Sequence, residues 1–292
     1  MQVTRRAFIA ASCAASASGQ QQADGKFEAN VRRVFSGDGP EVHVDEGHNN
    51  FHTIGGRYKP FAKLLEKAGA RPRPFPAKFS RDSLKNARIL VIANALSDRN
   101  QNNWTLPTPS AFTSAEIGAV YEWVRRGGAL MLIVDHMPFP GCAGELAHAF
   151  GIEFSNGYAR EPAVQGPIVF RKSSGSLKEH GVTQGIAEVA TFTGSAFRVT
   201  GHAVPLLVFG PDAESALVRR ASQILPDTPR QTVGGWLQGA LLDVEKGRLA
   251  VFGEAAMFSA QITANGGTMG MNSPLAPKNA EFLVNVVKWL AK

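Results

Sequence analysis

The sequence predicts an α/β domain with a mainly parallel sheet, and three observations carry that prediction. Two short stretches, 87–95 and 129–134, are almost uninterrupted apolar runs, the pattern of strands covered on both faces. Segments of helical periodicity separate such strands, and the resulting β-α-β-α order implies right-handed crossovers. Short β-like pieces in the middle of the chain add antiparallel strands to the expectation.

Taken in order, residues 1–17 read as a twin-arginine export signal: Thr4-Arg5-Arg6 precedes a short small-residue apolar stretch and an Ala-Ser-Ala ending at 15–17. The apolar run is about half of the roughly 20 residues a membrane-spanning helix requires. The expectation is therefore a periplasmic or secreted protein with no stable membrane insertion after signal cleavage. Cys13 lacks the leucine that usually precedes a lipid-anchored cysteine, which argues against an anchor there. Residues 18–40 are polar and rich in Gly and Gln, and read as a linker; residues 41–292 form the α/β domain.

Within that domain, Glu41–Asp45 alternates as a strand, and 58–68 is an amphipathic helix ended by Gly69. The strand at 87–95 leads into a polar loop, 97–112, that holds Trp104, Pro107 and Pro109. Thr113 and Glu116 form a capping box for the next helix, which stops at Gly127-Gly128. The strand at 129–134 ends in Asp135-His136, and a helix follows around 145–150. Between 152 and 232 the β-like pieces are 167–170, 189–192, 204–209 and 216–219. A strand at 247–253 and an amphipathic helix at 277–290 close the chain.

The formal charge of +7 falls to +5 when Arg5 and Arg6 leave with the signal, and the remaining Lys and Arg are dispersed. Without a dense basic run interleaved with aromatics, nucleic-acid binding is not expected. Of the two cysteines only Cys142 lies beyond the signal, so neither an internal disulfide nor a Cys-rich metal site is expected.

The densest group of reactive side chains is Asp45, Glu46, His48 and His52, directly after the first strand. Asn94, Asp135-His136 and Glu254 likewise follow strands, and parallel strands bring such positions to one sheet edge, where open α/β folds bind ligands. Thr193-Gly194-Ser195 is a candidate to join them. His48 and His52 have i, i+4 spacing, which on a helix would pair two imidazoles for a divalent metal. Gly55-Gly56 instead marks the stretch as a loop, so no metal or other cofactor is expected.

These stretches resemble the class I glutamine amidotransferase-like superfamily, and within it the bacterial domain of unknown function 4350 family, related to ThuA-like proteins. The likeness lies in Asp45-Glu46-Gly47-His48-Asn49-Asn50, Ala93-Asn94-Ala95, 111–116, 127–140, 180–185, 193–197 and 247–258, and spans about 41–292. It implies a flavodoxin-like three-layer sandwich. Amidotransferases of this superfamily carry a nucleophilic cysteine on an elbow after a strand. Here Asp135-His136 follow the strand, and Cys142 comes later in Pro140-Gly141-Cys142-Ala143-Gly144 with no matching His-x-Glu pair. Cys142 is expected to pack, and glutamine amidotransfer is not expected.

The expected function is binding of a sugar or other small polar ligand at the strand C-terminal edge. Asp45, Glu46, Asn49, Asn94, Trp104 and Ser195 are the candidate ligand contacts, since carboxylates and amides suit hydroxyl groups and an aromatic stacks on a sugar face. The alternative is a hydrolase, metal-assisted or not, with His48 or His136 as base, oriented by a carboxylate such as Asp135 or Glu46, and Glu254 as acid or ligand contact. A third reading is a scaffold domain of a cell-surface assembly.

Overall fold

A computed structural model of the chain describes residues 21–292. The expected export signal at 1–17, including Cys13, lies outside the described residues. The strands of the main sheet are β1 (Glu41–Asp45), β2 (Arg71–Phe75), β3 (Ile89–Ala93), β4 (Ala129–Ile133), β5 (Ile152–Phe154), β6 (Phe197–Val199), β7 (Val204–Val208), β8 (Leu237–Val244) and β9 (Gly247–Phe252). Four helices cover them: α1 (Lys59–Ala68), α2 (Ser114–Arg125), α3 (Phe139–Ala149) and α4 (Asn279–Leu290).

The strands form one nine-stranded sheet in the order β2-β1-β3-β4-β9-β8-β6-β5, with β7 also paired to β8. The first five strands of that order are parallel to one another, and β8, β7, β6 and β5 extend the sheet by antiparallel pairing. The protein is thus an α/β domain with a mainly parallel core sheet and antiparallel additions.

Strand alternation splits the interior into two cores. Val42, Val44, Ile89, Val91 and Met131 face α1 and α4, whereas Leu90, Ile92, Leu130 and Leu132 face α2 and α3. Helix α1 buries Phe61, Leu64 and Leu65 along one side, each contributing roughly 1.5–3 kcal/mol by leaving water. Gly69 ends it with φ of 95°, a left-handed conformation that glycine adopts without a Cβ penalty.

The capping box of α2 forms as expected: Thr113 Oγ1 accepts from Glu116 N, and Glu116 Oε2 accepts from Thr113 N. Helix α3 begins six residues earlier than the sequence indicates, because Pro140 occupies its first turn, where a missing N–H costs nothing. From residue 21 on, the segment expected as a linker is strapped to the domain. Gln22–Ala23 pairs with Ala260–Ile262, Ala29 is buried, and Phe27, Val31 and Phe35 pack on the core.

The chain leaves β1 through α1 toward β2, and leaves β3 through α2 toward β4, so the order reverses between β1 and β3. The loops after these two strands part in opposite directions and open a crevice at the carboxyl edge. No helix among the described residues is long and apolar enough to cross a membrane.

Candidate functional site

The loop after β1 is irregular from residue 46 to the start of α1, so His48 and His52 share no helical face. His48 turns inward and is fully buried. Its Nδ1 lies 2.8 Å from Asp45 Oδ1, and its Nε2 lies 3.0 Å from Glu116 Oε1. Phe79 and Phe112 pack against the ring, with centroids 4.4 and 4.7 Å away. Asp45 also accepts from Gly47 N and Asn50 Nδ2, which holds its carboxylate in the acceptor role. Both ring nitrogens of His48 are therefore engaged by carboxylates. The residue expected as a catalytic base has no free nitrogen, because the turn that follows β1 folds its ring between two carboxylates.

Glu116 was not among the sequence candidates, although its capping box was legible. One of its oxygens serves the α2 N-terminus and the other serves His48. Burial pushes the Glu116 carboxyl up, but hydrogen bonds from His48 and Thr113 outweigh it and bring it from 4.5 to about 2.

Directly outside this buried triad lies a cavity of about 610 Å³, bordered by Asn49, Lys78, Ser97, Asp98, Ser110 and Glu116, with Phe79 and Phe112 as its apolar lining. These residues come from the loops after β1, β2 and β3 and from the start of α2, so the cavity opens at the reversal of strand order. Asn49, held at φ 48°, donates through Nδ2 to Asp98 Oδ1 at 2.9 Å. That bond leaves the Asn49 carbonyl oxygen and the second Asp98 oxygen as acceptors, and Lys78 supplies a cation. Of the expected ligand contacts, Asn49 borders this cavity. Asp45 is fully buried beneath it, and Glu46 accepts from Ile54 N at 2.7 Å as a loop brace. Lys78, Asp98, Phe79 and Phe112 had no motif to reveal them.

The remaining candidates gather farther along the same edge. Asn94 donates to His52 Nδ1 and accepts from Asp135 N, with φ of 51°. The Asn94 contact assigns the proton of His52 to Nε2, which is buried without a partner. His52 is pushed down to about 3, first by burial and then by Arg57 and His136. Asp135 accepts from His136 N, Thr193 Oγ1 and Ala255 N. His136 is half-buried; its Nδ1 donates to the Met137 carbonyl at 2.8 Å, and its ring stacks on Tyr158 at 4.1 Å. Its Nε2 makes no hydrogen bond among the described residues. Trp104 is half-buried, edge-on to Phe51 at 4.8 Å, with His136 6.2 Å away. Arg57 lies 3.7 Å over Phe51.

Two further candidates are structural. Glu254 is fully buried and accepts from Ala256 N at 2.8 Å and Met257 N at 2.7 Å, capping the single turn Ala256–Phe258. Burial first, and Asp135 second, hold its carboxyl well above the usual range. It is inaccessible as a catalytic acid or ligand contact. Ser195 is also fully buried, and its hydroxyl donates to the Val134 carbonyl at 2.8 Å. Cys142 lies inside α3 within the core, and burial pushes its thiol up. Among the described residues no three His, Cys, Asp or Glu side chains converge to hold a metal ion.

Neither a protein-family model nor a curated protein matches this chain. Solved structures do. The mmIFT52 N-terminal domain is similar at a TM-score of 0.60 and 14% identity, over 86% of this chain and 97% of that one. A cytoplasmic protein from Salmonella typhimurium is similar at 0.54 and 13%, over 87% and 99%. A ThuA-like protein from Bacteroides uniformis is similar at 0.49 and 14%, over 91% and 95%. At such identities the likeness is one of fold.

Proposed function

We propose that this chain is an exported, flavodoxin-like member of the glutamine amidotransferase-like superfamily, in the domain of unknown function 4350 family, that binds a sugar or similar small polar ligand without amidotransferase activity. The observation that carries the reading is the cavity of about 610 Å³ at the reversal of strand order. Its size falls in the range of small-ligand pockets, roughly 300–1,000 Å³. Acceptors on Asn49 and Asp98 and a donor on Lys78 suit the hydroxyl groups of a polyol. The parallel order β2-β1-β3-β4-β9 follows the doubly wound pattern in which ligands occupy this crevice. Burial of Cys142 in the core argues against nucleophilic attack on glutamine.

Thermal-shift screening of the purified chain against a panel of neutral and acidic sugars tests the reading. A stabilising sugar is expected, and its effect should vanish in Asn49→Ala and Asp98→Ala. If no sugar raises the melting temperature, or the rise persists in both variants, the site is wrong.

A hydrolase reading rests on one observation: His136 has its tautomer set by Met137 and keeps Nε2 available as a base beside Asp135. Turnover of a bound sugar that stops in His136→Ala would favour it over binding alone.

A further inference from the structure

The opposite edge of the sheet, where the parallel strands begin, holds two cationic clefts. One, about 380 Å³, is bordered by Arg71, Arg88, Lys246 and Arg248. A second, about 700 Å³, lies beside α2 and is bordered by Arg81, Lys85, Arg88 and Arg126. Arg88 and Gly127 border both, so the two clefts share a wall.

Their acidic neighbours are already engaged. Glu41 pairs with Arg71 at 3.6 Å, and Glu122 pairs with Arg125 at 2.8 Å and Arg126 at 3.6 Å. Among the described residues Arg81, Lys85, Arg88 and Lys246 enter no ion pair. Cations grouped around a cleft and left without counter-charges raise the local concentration of anions. The planar fork of arginine matches phosphate, sulfate and carboxylate groups.

The larger cleft also has an aromatic lining. Trp123 donates through its indole N–H to the Ala87 carbonyl at 3.1 Å, which holds the ring in place. A Cβ at Gly128 would fall 2.3 Å from that ring, so glycine lets the indole rest against the backbone. Ala115 and Gly118 on the exposed side of α2 leave space beside it.

We propose that these joined clefts bind a small polyanion bearing an unsaturated ring, with its anionic groups on Arg88 and the neighbouring cations and its ring against Trp123. The volumes suit a small molecule better than a macromolecular surface. This site is separate from the sugar site, and the two stand or fall independently.

Isothermal titration of the purified chain at low ionic strength with adenosine triphosphate, tripolyphosphate and adenosine tests the proposal. Adenosine triphosphate should bind saturably, tripolyphosphate about tenfold more weakly, and adenosine without measurable heat. Arg88→Ala, at an exposed position, should weaken nucleotide binding about tenfold, the effect of one charge-assisted hydrogen bond. Asp98→Ala at the far edge should leave it unchanged. The proposal is overturned by absent saturable binding of the nucleotide, by equal affinity for tripolyphosphate or adenosine, or by an affinity that Arg88→Ala does not alter.

Discussion

His48 and His136 occupy the same edge of the same sheet, each a few residues past a parallel strand, and the fold treats them in opposite ways. His48 is sealed, with a carboxylate on each ring nitrogen and a phenyl ring packed close on two sides. His136 is half-buried, has one nitrogen tied to a carbonyl, and leaves the other unused. A histidine among acidic residues is thus a brace when its nitrogens are both consumed, and a chemical group only when one is spared. The difference predicts that His48 governs stability and His136 governs what happens at the surface.

The largest effect should come from His48→Ala. Removing the imidazole leaves Asp45 and Glu116 buried without their shared partner, which costs about 3–5 kcal/mol. Urea unfolding monitored by circular dichroism measures it; a loss below about 1 kcal/mol would mean that the triad is not the brace described. His136→Ala, by contrast, should cost no more than about 1.5 kcal/mol, the scale of a lost ring stack on Tyr158.

A smaller loss, about 1–3 kcal/mol, is expected for Glu116→Gln, which keeps the shape of the cap but weakens the bond to His48. Its pH signature separates it from a packing defect. The carboxyl of Glu116 is lowered in the folded state, so its stabilisation is present above 4.5 and is lost as pH falls toward about 2. The wild-type chain should lose stability across that window, and Glu116→Gln should lose less of it.

His52 supplies a second and higher window. Its folded-state value of about 3 lies below the ordinary 6.5, so the unfolded chain binds the extra proton first and stability declines as pH falls from 6.5 toward 3. His52→Asn should flatten that part of the stability profile without changing the Glu116 window. An unchanged slope would show that His52 is solvated rather than held neutral.

The least effect on stability is expected at Asp98→Ala, an exposed position where the change should stay within about 0.5 kcal/mol. Any loss there should be in ligand affinity. Destabilisation on the scale of His48→Ala would make Asp98 another brace and remove an exposed acceptor from the cavity.

Much of the scaffold was legible in short-range pattern. The apolar runs of β3 and β4, the capping box at Thr113 and Glu116, and the glycine that ends α1 each depend on residues within a few positions of one another. Strand β8 was not legible, because Gln238 and Gly239 interrupt its apolar pattern. Gly239 is small where Leu207 and Phe252 crowd it, within about 3 Å of an added Cβ. The partners of the expected site residues were not legible: Glu254 accepts from the turn at 256–257, Ser195 donates to the Val134 carbonyl, and Asp45 is fully buried.

The sequence by itself determined the class of fold and the edge at which polar residues collect. The tertiary structure decided which of those polar residues remain available. His48 meets Glu116 across 68 positions, and Asn49 meets Asp98 across 49. A side chain is functional or structural according to which partner reaches it first. Local sequence sets the direction of the backbone, while the partners that consume a ring nitrogen or a carboxylate come from distant loops brought together by the sheet.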